Sequence, residues 1–376
     1  MFIDIHILQS VPPSNINRDD TGSPKTAIYG GVRRARVSSQ SWKRATRKRF
    51  NDTLDKSEIG FRTKRLSELL GERIRERVDG LEPESAYALA SSIFKAAGKT
   101  GIKMVAPKVA KNAPAKPDES QYLVFLSAAQ LKSLADLAAT AHRDGAEVDK
   151  KRVKEIFTAD NSIDVALFGR MIADDAELNV DASVQVAHAI SVHAVEQEFD
   201  YFTAVDDFGQ ANQEPGAGMI GTIEFASSTL YRFATINIAG LEKNLGDRAA
   251  TARAAAAFVE SFARSMPSGK VNTFANYTLP EVVLINIRND QPVSLVGAFE
   301  DPIATGAEHG GIPARATAEL VRRDADIAKA YGSPAASFFT AAGVPTDLLA
   351  TRGEDLEFAS LVQRVSDAVT AWTPAR

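Results

Sequence analysis

The chain has 376 residues, of which 44% are hydrophobic and 24% charged, with a net charge of −4 and no cysteine. The length allows two or three domains and the composition is typical of a soluble globular protein. The lack of cysteine excludes disulfides, thiol nucleophiles and thiolate metal sites. No apolar run approaches the roughly 20 residues of a membrane-spanning helix, and no basic leader opens the chain, so the sequence predicts a cytoplasmic protein without a membrane partner.

The first predicted element is a strand over Phe2–Gln9, in which Ile3, Ile5 and Ile7 alternate with other residues and give one strongly apolar face. Positive charge is concentrated soon afterwards. Eight basic residues and no acid lie between Arg33 and Arg49, although the chain as a whole is acidic. Because attraction of a polyanion depends on the local field more than on net charge, this segment predicts contact with one.

The order of residues in this segment predicts a phosphate-binding surface. A turn at Gly30-Gly31 precedes a short extended run, and Ser38 or Ser39 is expected to cap a helix that begins near Gln40. Free backbone amides and hydroxyls would then lie at the positive end of that helix.

Lys43 and Arg47 are four residues apart and therefore share a helix face, with Gln40 about one turn earlier. Together with the turn and the cap, they could hold several consecutive phosphates. A solvated basic helix beside a loop is the alternative that charge alone leaves open.

Helical periodicity dominates from about residue 52 to residue 157, over Ser57–Val78, Glu84–Ala97 and Ala128–Ala141. We interpret this block as a helical insertion into a sheet-based domain. Within it, Lys103–Pro117 is rich in alanine, lysine and proline, which favours a solvated loop; contact of its lysines with nucleic acid is the alternative.

Two further segments precede the next strong signal. The run IDVALFGRM at 163–171 ends in Gly169, Arg170 and Met171, which suits a loop tip that contacts bases; a strand end with a buried methionine is the alternative. Ser183–Val195 is amphipathic and predicts a helix. Its His188 and His193 are five residues apart, the wrong spacing for a helical metal pair.

A protruding arm is predicted over Asp200–Gly221, where two extended stretches flank a Gly/Pro-rich tip. Tyr201, Phe202 and Thr203 could stack on bases, although burial of the aromatics is the alternative. Asp206-Asp207 has no third carboxylate nearby, so turn acids are favoured over a metal site.

The second half of the chain predicts β-structure at Ile223–Ile238, either one long strand or two edges of one sheet, and a buried strand at Val282–Ile287. Helices are predicted at Asp247–Ser265, near 315–330 and near 355–372. Lys270, beside a glycine, is either a phosphate contact or a solvated turn residue. The order of elements fits an α+β sheet of ferredoxin or RRM type, interrupted by two excursions.

Several segments, in chain order, resemble the CasC family, the repeated backbone subunit of the type I-E CRISPR Cascade complex. They span residues 2–287 and read FIDIHIL, NRDD, AIYGGVRRARVSSQSWKRATRK, DVALFGRM, QVAHAISVH, DYFTAVDD, GTIEFASSTLYRFATIN and NTFA. The resemblance implies an RRM-like palm at 1–55, 184–198 and 223–376, helical fingers at 56–183 and a thumb arm at 199–222. It also implies a non-catalytic protein without cofactor or metal.

The resemblance further implies that copies of the chain stack along a CRISPR RNA, together with other Cascade subunits, and present it for pairing with target DNA. The implied backbone contacts are Arg18, Lys25, Arg34, Ser38, Gln40, Lys43 and Arg47. The implied contacts at a kinked base are Met171, Tyr201, Phe202 and Thr203. At position 201 this chain has tyrosine where the family is expected to have tryptophan, and the flat ring needed for stacking is kept.

Two other hypotheses remain. One is a metal-independent CRISPR RNA endonuclease on the same fold, for which His6 is the one histidine expected near the RNA-binding face, without a second acid or base. The other is a structural assembly protein whose basic patch contacts acidic neighbours in an open array.

Overall fold

A computed structural model describes residues 1–109, 116–205, 217–306 and 311–373. The strands are β1 Phe2–Ser14, β2 Thr26–Tyr29, β3 Val32–Val37, β4 Gly60–Thr63, β5 Met104–Val105, β6 Glu119–Ser120, β7 Val124–Ser127, β8 Val184–Val186, β9 Ala189–Ser191, β10 Glu198–Val205, β11 Ala217–Asn237, β12 Val282–Arg288, β13 Ala336–Ala341 and β14 Glu354–Asp355. The helices are α1 Ser39–Thr53, α2 Leu66–Arg75, α3 Pro83–Ala96, α4 Ala128–Asp144, α5 Lys150–Thr158, α6 Ile163–Phe168, α7 Ile238–Leu245, α8 Arg248–Arg264, α9 Val271–Phe274, α10 Ile312–Tyr331, α11 Asp347–Ala350 and α12 Phe358–Ala371.

The predicted α+β class is confirmed. In the described residues the largest sheet has ten strands, ordered β14-β13-β12-β1-β11-β9-β3-β2, with β8 and β10 also paired to β11. β1 is antiparallel to β12, whereas β13 and β14 run parallel, so the sheet is mixed. The long strand and the buried VVLINI strand predicted in the second half of the chain are both present, as β11 and β12.

Strand β1 is covered on both faces, not only on the apolar face that the sequence predicts. Ile3, Ile5 and Ile7 are fully buried, and so are Asp4 and His6 between them. Asp4 is paired with Arg288, whose Nε lies 3.3 Å from the carboxylate, and it accepts a 2.8 Å hydrogen bond from the Val293 N–H. Burial outweighs these contacts and raises the pKa of Asp4 to about 6.

The helix predicted over Ser183–Val195 is absent, and the segment forms β8 and β9 instead. Its apolar residues are held by strand partners: Ile190 pairs with both Arg36 of β3 and Tyr231 of β11. Strands of three residues are too short for their alternation to be told from a helical pattern, so the neighbouring strands decide the structure.

The helical block has its own hydrophobic core in the second unit defined below. Its largest buried members include Leu66, Leu70, Phe94, Leu134 and Phe157. The helix predicted from Ser57 begins only at Leu66, because Gly60–Thr63 form β4 and pair with β7. The excursion after Lys103 begins as β5, which pairs with β6; residues 110–115 of that excursion lie outside the described residues.

The chain divides into two compact units. The first comprises Met1–Arg49, Val186–Thr235 and Phe258–Asp367, and the second comprises Phe50–Gln185, Ile236–Ala257 and Ala368–Arg376. The second unit thus groups α7 and the first half of α8 with the inserted helices, whereas the resemblance assigns them to the palm. In the described ranges, no helix combines the length and the apolarity needed to cross a membrane.

Candidate nucleic-acid interface

The N-terminus of α1 is capped by Ser38, one of the two serines that the sequence predicts for this role. The Ser38 Oγ accepts a 3.3 Å hydrogen bond from the Ser41 N–H, and its carbonyl accepts from the Trp42 N–H at 3.2 Å. The Ser38 N–H in turn donates to Asn17 Oδ1 at 2.8 Å. The cap therefore joins the helix to the loop that carries Arg18 and Lys25.

That loop is ordered by its own hydrogen bonds. The Lys25 N–H donates to the Asn17 carbonyl at 2.9 Å, and Asp19 Oδ1 accepts from the N–H groups of Thr21 and Ser23 at 2.9 and 3.0 Å. Arg18 is exposed and Lys25 half-buried. Both predicted cations thus extend from a defined turn next to the helix N-terminus, where the partial positive charge of the helix adds to theirs.

Two residues that the sequence analysis did not select, His188 and Arg36, also lie at the N-terminus of α1. His188 Nδ1 accepts hydrogen bonds from the Ser39 N–H and from Arg36 Nη1, both at 3.3 Å. Burial first, and then the charges of Arg36 and Lys25, hold the pKa of His188 below its ordinary value. The imidazole is therefore neutral at pH 7, and the charge available to a phosphate here comes from Lys25 and Arg36.

Gln40, Lys43 and Arg47 lie along α1, with Gln40 exposed and the two cations half-buried. The opposite side of the helix is fixed to the core, since Trp42 is fully buried and meets the Phe262 ring edge-on at 6.4 Å between centroids. Arg49 is committed to an ion pair with Glu260 at 2.9 Å. The side of α1 opposite the predicted basic face is thus fixed to the core by packing and by an ion pair.

Arg34 must be removed from the candidate set. Its side chain is 0% exposed, and its guanidinium donates to the carbonyls of Tyr29, Ser191, Phe299 and Glu300 at 2.9–3.1 Å. These carbonyls use its donors within the fold, so the prediction that Arg34 contacts RNA is wrong for this conformation. Its role is to tie the β2–β3 hairpin to β9 and to the 299–300 segment.

In the predicted arm, β10 and β11 pair antiparallel, with Tyr201 opposite Thr222 and Phe202 opposite Gly221, and the Gly/Pro-rich tip lies outside the described residues. Tyr201 is 63% exposed and Thr203 is also exposed, so the alternative of a buried aromatic is wrong for Tyr201. Phe202 lies on the other face, and its ring covers Gly221, where an added Cβ would come within 2.5 Å of the ring. Asp206 and Asp207 lie outside the described residues.

Met171, in the second unit, is 77% exposed, so the alternative of a buried methionine is also wrong. The run before it is helix α6 and not a strand. Arg170, by contrast, is buried, donates to the Leu178 carbonyl at 2.9 Å and to Gln130 Oε1 at 3.2 Å, and stacks over Phe157. The arginine anchors the turn and leaves the methionine side chain projecting.

The chain matches the family model described as CT1975-like protein over residues 3–365. It belongs to the CT1975-like family. A solved structure described as "CRISPR RNA-guided surveillance complex, pre-nicking" contains a chain that is 35% identical, with a TM-score of 0.87, 98% of this chain covered and 100% of that one. Another, "CRISPR RNA-guided surveillance complex", is 31% identical, with a TM-score of 0.77 and the same coverage. No curated protein matches the chain.

His6 of this CT1975-like protein is unsuited to the role of a general base. It is fully buried, its Nδ1 lies 2.9 Å from the Tyr231 hydroxyl, and its ring stacks on Phe233. Burial, reinforced by the charge of Arg288, lowers the pKa of His6 to about 3. His193 is likewise engaged in the fold, where its Nε2 accepts from the Thr229 N–H at 3.1 Å. The described residues contain no group of three or more potential metal ligands.

Proposed function

We propose that this CT1975-like protein is a non-catalytic subunit of a Cascade-type complex that binds the backbone of a CRISPR RNA. Copies of the chain stack along the RNA, associate with the other subunits, and present the guide for pairing with target DNA, as the type I-E resemblance implies. The chains that it resembles over their full length belong to RNA-guided surveillance complexes.

The observation that carries this proposal is the surface at the N-terminus of α1. Lys25, Arg36 and the positive end of the α1 dipole converge there, and the half-buried cations Lys43 and Arg47 continue it along the helix. The N–H groups of Ser38, Ser39 and Ser41 already donate within the fold, so the cations carry the contact with phosphate. Charge-assisted contacts of this kind fix the path of a phosphate backbone and do not read its sequence. A subunit that must bind any guide requires this kind of contact.

Exposed side chains elsewhere in each unit suit contact with RNA bases. Tyr201 offers a flat ring, and base–aromatic stacking contributes about 1–3 kcal/mol per base without sequence preference. Met171 offers an unbranched apolar side chain that adapts to different base shapes. Sequence would then be read by base pairing of the guide, as in other RNA-guided systems.

Co-purification of RNA tests the proposal. The full chain is expressed together with a CRISPR RNA. It is expected to purify with bound RNA, seen as a raised ratio of the absorbance at about 260 nm to that at about 280 nm, and to release that RNA intact. Lys43→Ala/Arg47→Ala should lose most of that RNA. A wild-type chain that purifies without nucleic acid and does not bind added single-stranded RNA at low salt would contradict the proposal. Cleavage of the bound RNA by the purified chain would overturn its non-catalytic part.

A further inference from the structure

A buried cation, Arg232, packs against the basic helix α1. Arg232 of β11 is 1% exposed, and its guanidinium carbon is 3.7 Å from the ring centroid of Trp42 and 4.5 Å from that of Phe262. No carboxylate of the described residues forms an ion pair with it. Burial lowers the pKa of Arg232 to about 9, so it remains charged at neutral pH. Burying a guanidinium without a carboxylate partner costs free energy, and the groups that Arg232 contacts must offset that cost.

The guanidinium holds the end of one helix and stacks on another. Nη2 donates to the Phe262 carbonyl and Nη1 approaches the Ala263 carbonyl at 3.5 Å, both in the last turn of α8. A cation at this position satisfies carbonyls that lack helical partners and complements the helix dipole. Since Trp42 stands in α1 between Gln40 and Lys43, the same side chain fixes both the end of α8 and the start of the basic face.

A hydrogen-bonded chain extends from Arg232 to a second RNA-facing candidate. Nη1 donates to Gln9 Oε1 at 2.5 Å, and Gln9 Nε2 donates to the carbonyl and hydroxyl of Thr278 at 2.9 and 3.2 Å. The Thr278 N–H donates to Met266 Sδ at 3.3 Å. The loop between residues 266 and 278 therefore starts just after α8 and ends on Gln9, so Arg232 supports both of its ends.

This loop carries Lys270 and lies against the segment that leads into the RNA-binding surface. A Cβ on Gly269 would come within 2.3 Å of the Ile16 carbonyl oxygen, so the two backbones are in direct contact one residue before Asn17. Lys270 has φ +50°, a conformation that costs a non-glycine residue free energy and persists only where its surroundings enforce it. The lysine is thus held beside the candidate surface.

We propose that Arg232 is a positioning residue for RNA binding. Its planar guanidinium fixes the basic face of α1 and the Lys270 loop relative to one another, so that both present cations to one RNA strand. This inference rests on the proposed function, because it concerns the same surface. The guanidinium acts through Trp42, α8 and Gln9 and does not touch the RNA.

The test compares Arg232→Lys, which keeps the charge but loses the planar fork, with Arg232→Met, which keeps apolar bulk without charge. Both are combined with Lys43→Ala/Arg47→Ala in a double-mutant cycle. Affinity of the full chain for a labelled single-stranded RNA is measured by fluorescence anisotropy, with circular dichroism and thermal melting to establish the folded fraction.

Positioning predicts that both Arg232 variants weaken binding by roughly tenfold while folded, and that the alanine pair costs less affinity in their background than in wild type. If Arg232→Lys binds RNA as tightly as wild type, the positive charge of Arg232 suffices and its planar guanidinium is not needed, which would overturn the proposal. If the effects of the Arg232 variants and of Lys43→Ala/Arg47→Ala on affinity are strictly additive, or if both folded Arg232 variants bind as wild type, Arg232 contributes only to fold stability. Either result would also overturn the proposal.

If neither variant folds, Gln9→Met keeps side-chain bulk and Arg232 itself, but breaks the hydrogen-bonded link from Arg232 through Gln9 to Thr278. Gln9→Met is expected to weaken RNA binding, and Lys270→Ala should then cause little further loss of affinity in the Gln9→Met background. Additive effects of the two substitutions on affinity would overturn the proposal. Loss of RNA binding by the wild-type chain would refute the proposed function itself, and the positioning role with it. Normal wild-type binding with additive variants would refute the positioning role alone.

Discussion

The salt dependence of RNA binding should reveal which face of α1 contacts phosphate. Lys43→Ala/Arg47→Ala removes two cations that lie one turn apart and leaves alanine, which favours the helix. For single-stranded nucleic acid, each phosphate neutralised contributes about 0.7 to the slope of log Kobs against log salt concentration. Loss of two contacts should therefore reduce the magnitude of the slope by about 1.4.

The assay is fluorescence anisotropy of a labelled single-stranded RNA at a series of potassium chloride concentrations. Arg44→Ala/Lys48→Ala is the matched control, since it removes the same charge from the same helix at two exposed positions. The control should keep a slope close to that of wild type. Equal reductions in both variants would mean that α1 attracts RNA only by its total charge, and would refute the assignment of contacts to the Lys43 face.

Three further perturbations have defined outcomes. Tyr201→Ala should weaken RNA binding by about 1–3 kcal/mol without changing the salt slope, whereas Tyr331→Ala, at another exposed tyrosine, should bind as wild type; unchanged affinity in Tyr201→Ala would remove the stacking role. Gly30→Ala should lower the melting temperature more than Gly31→Ala, because both positions have positive φ but only the Gly30 methyl would collide with a backbone oxygen, at 1.6 Å; equal shifts would contradict this. The pKa of His6 is lowered from 6.5 to about 3, so the folded state binds fewer protons than the unfolded state and wild type loses stability as pH falls below 6.5. Between neutral pH and pH 5, the difference in unfolding free energy between His6→Gln and wild type should shift by about 2 kcal/mol in favour of the variant, as measured by urea unfolding. Parallel pH profiles of the two proteins would refute the assignment.

The parts of the fold predicted correctly are those whose signals are local. The alternation in Phe2–Gln9 and the long β-branched run before Asn237 each span enough residues to define a strand. The cap at Ser38 follows from a serine just before a helical pattern. The short strands β8 and β9 could not be predicted, because their structure depends on partners distant in the sequence.

Charge predicts the location of the candidate surface better than it predicts the role of each cation. Arg34 and Lys43 lie in the same basic segment, yet Arg34 is buried because the Phe299 and Glu300 carbonyls, more than 260 residues away, accept its donors. His188 reaches the helix end through the pairing of β9 with β3. Neither contact leaves a signal at the short range from which sequence patterns are read.

Nuclease protection of a long RNA tests the central claim most directly. RNA bound by an excess of the wild-type chain is digested with RNase, and the protected fragments are sized. Stacked copies with one phosphate-binding surface each predict a ladder of fragments at a constant step, which Lys43→Ala/Arg47→Ala abolishes. Unprotected RNA, or copies that stay stacked after complete digestion of the RNA, would contradict an RNA-bound filament, and the second result would favour a structural assembly protein.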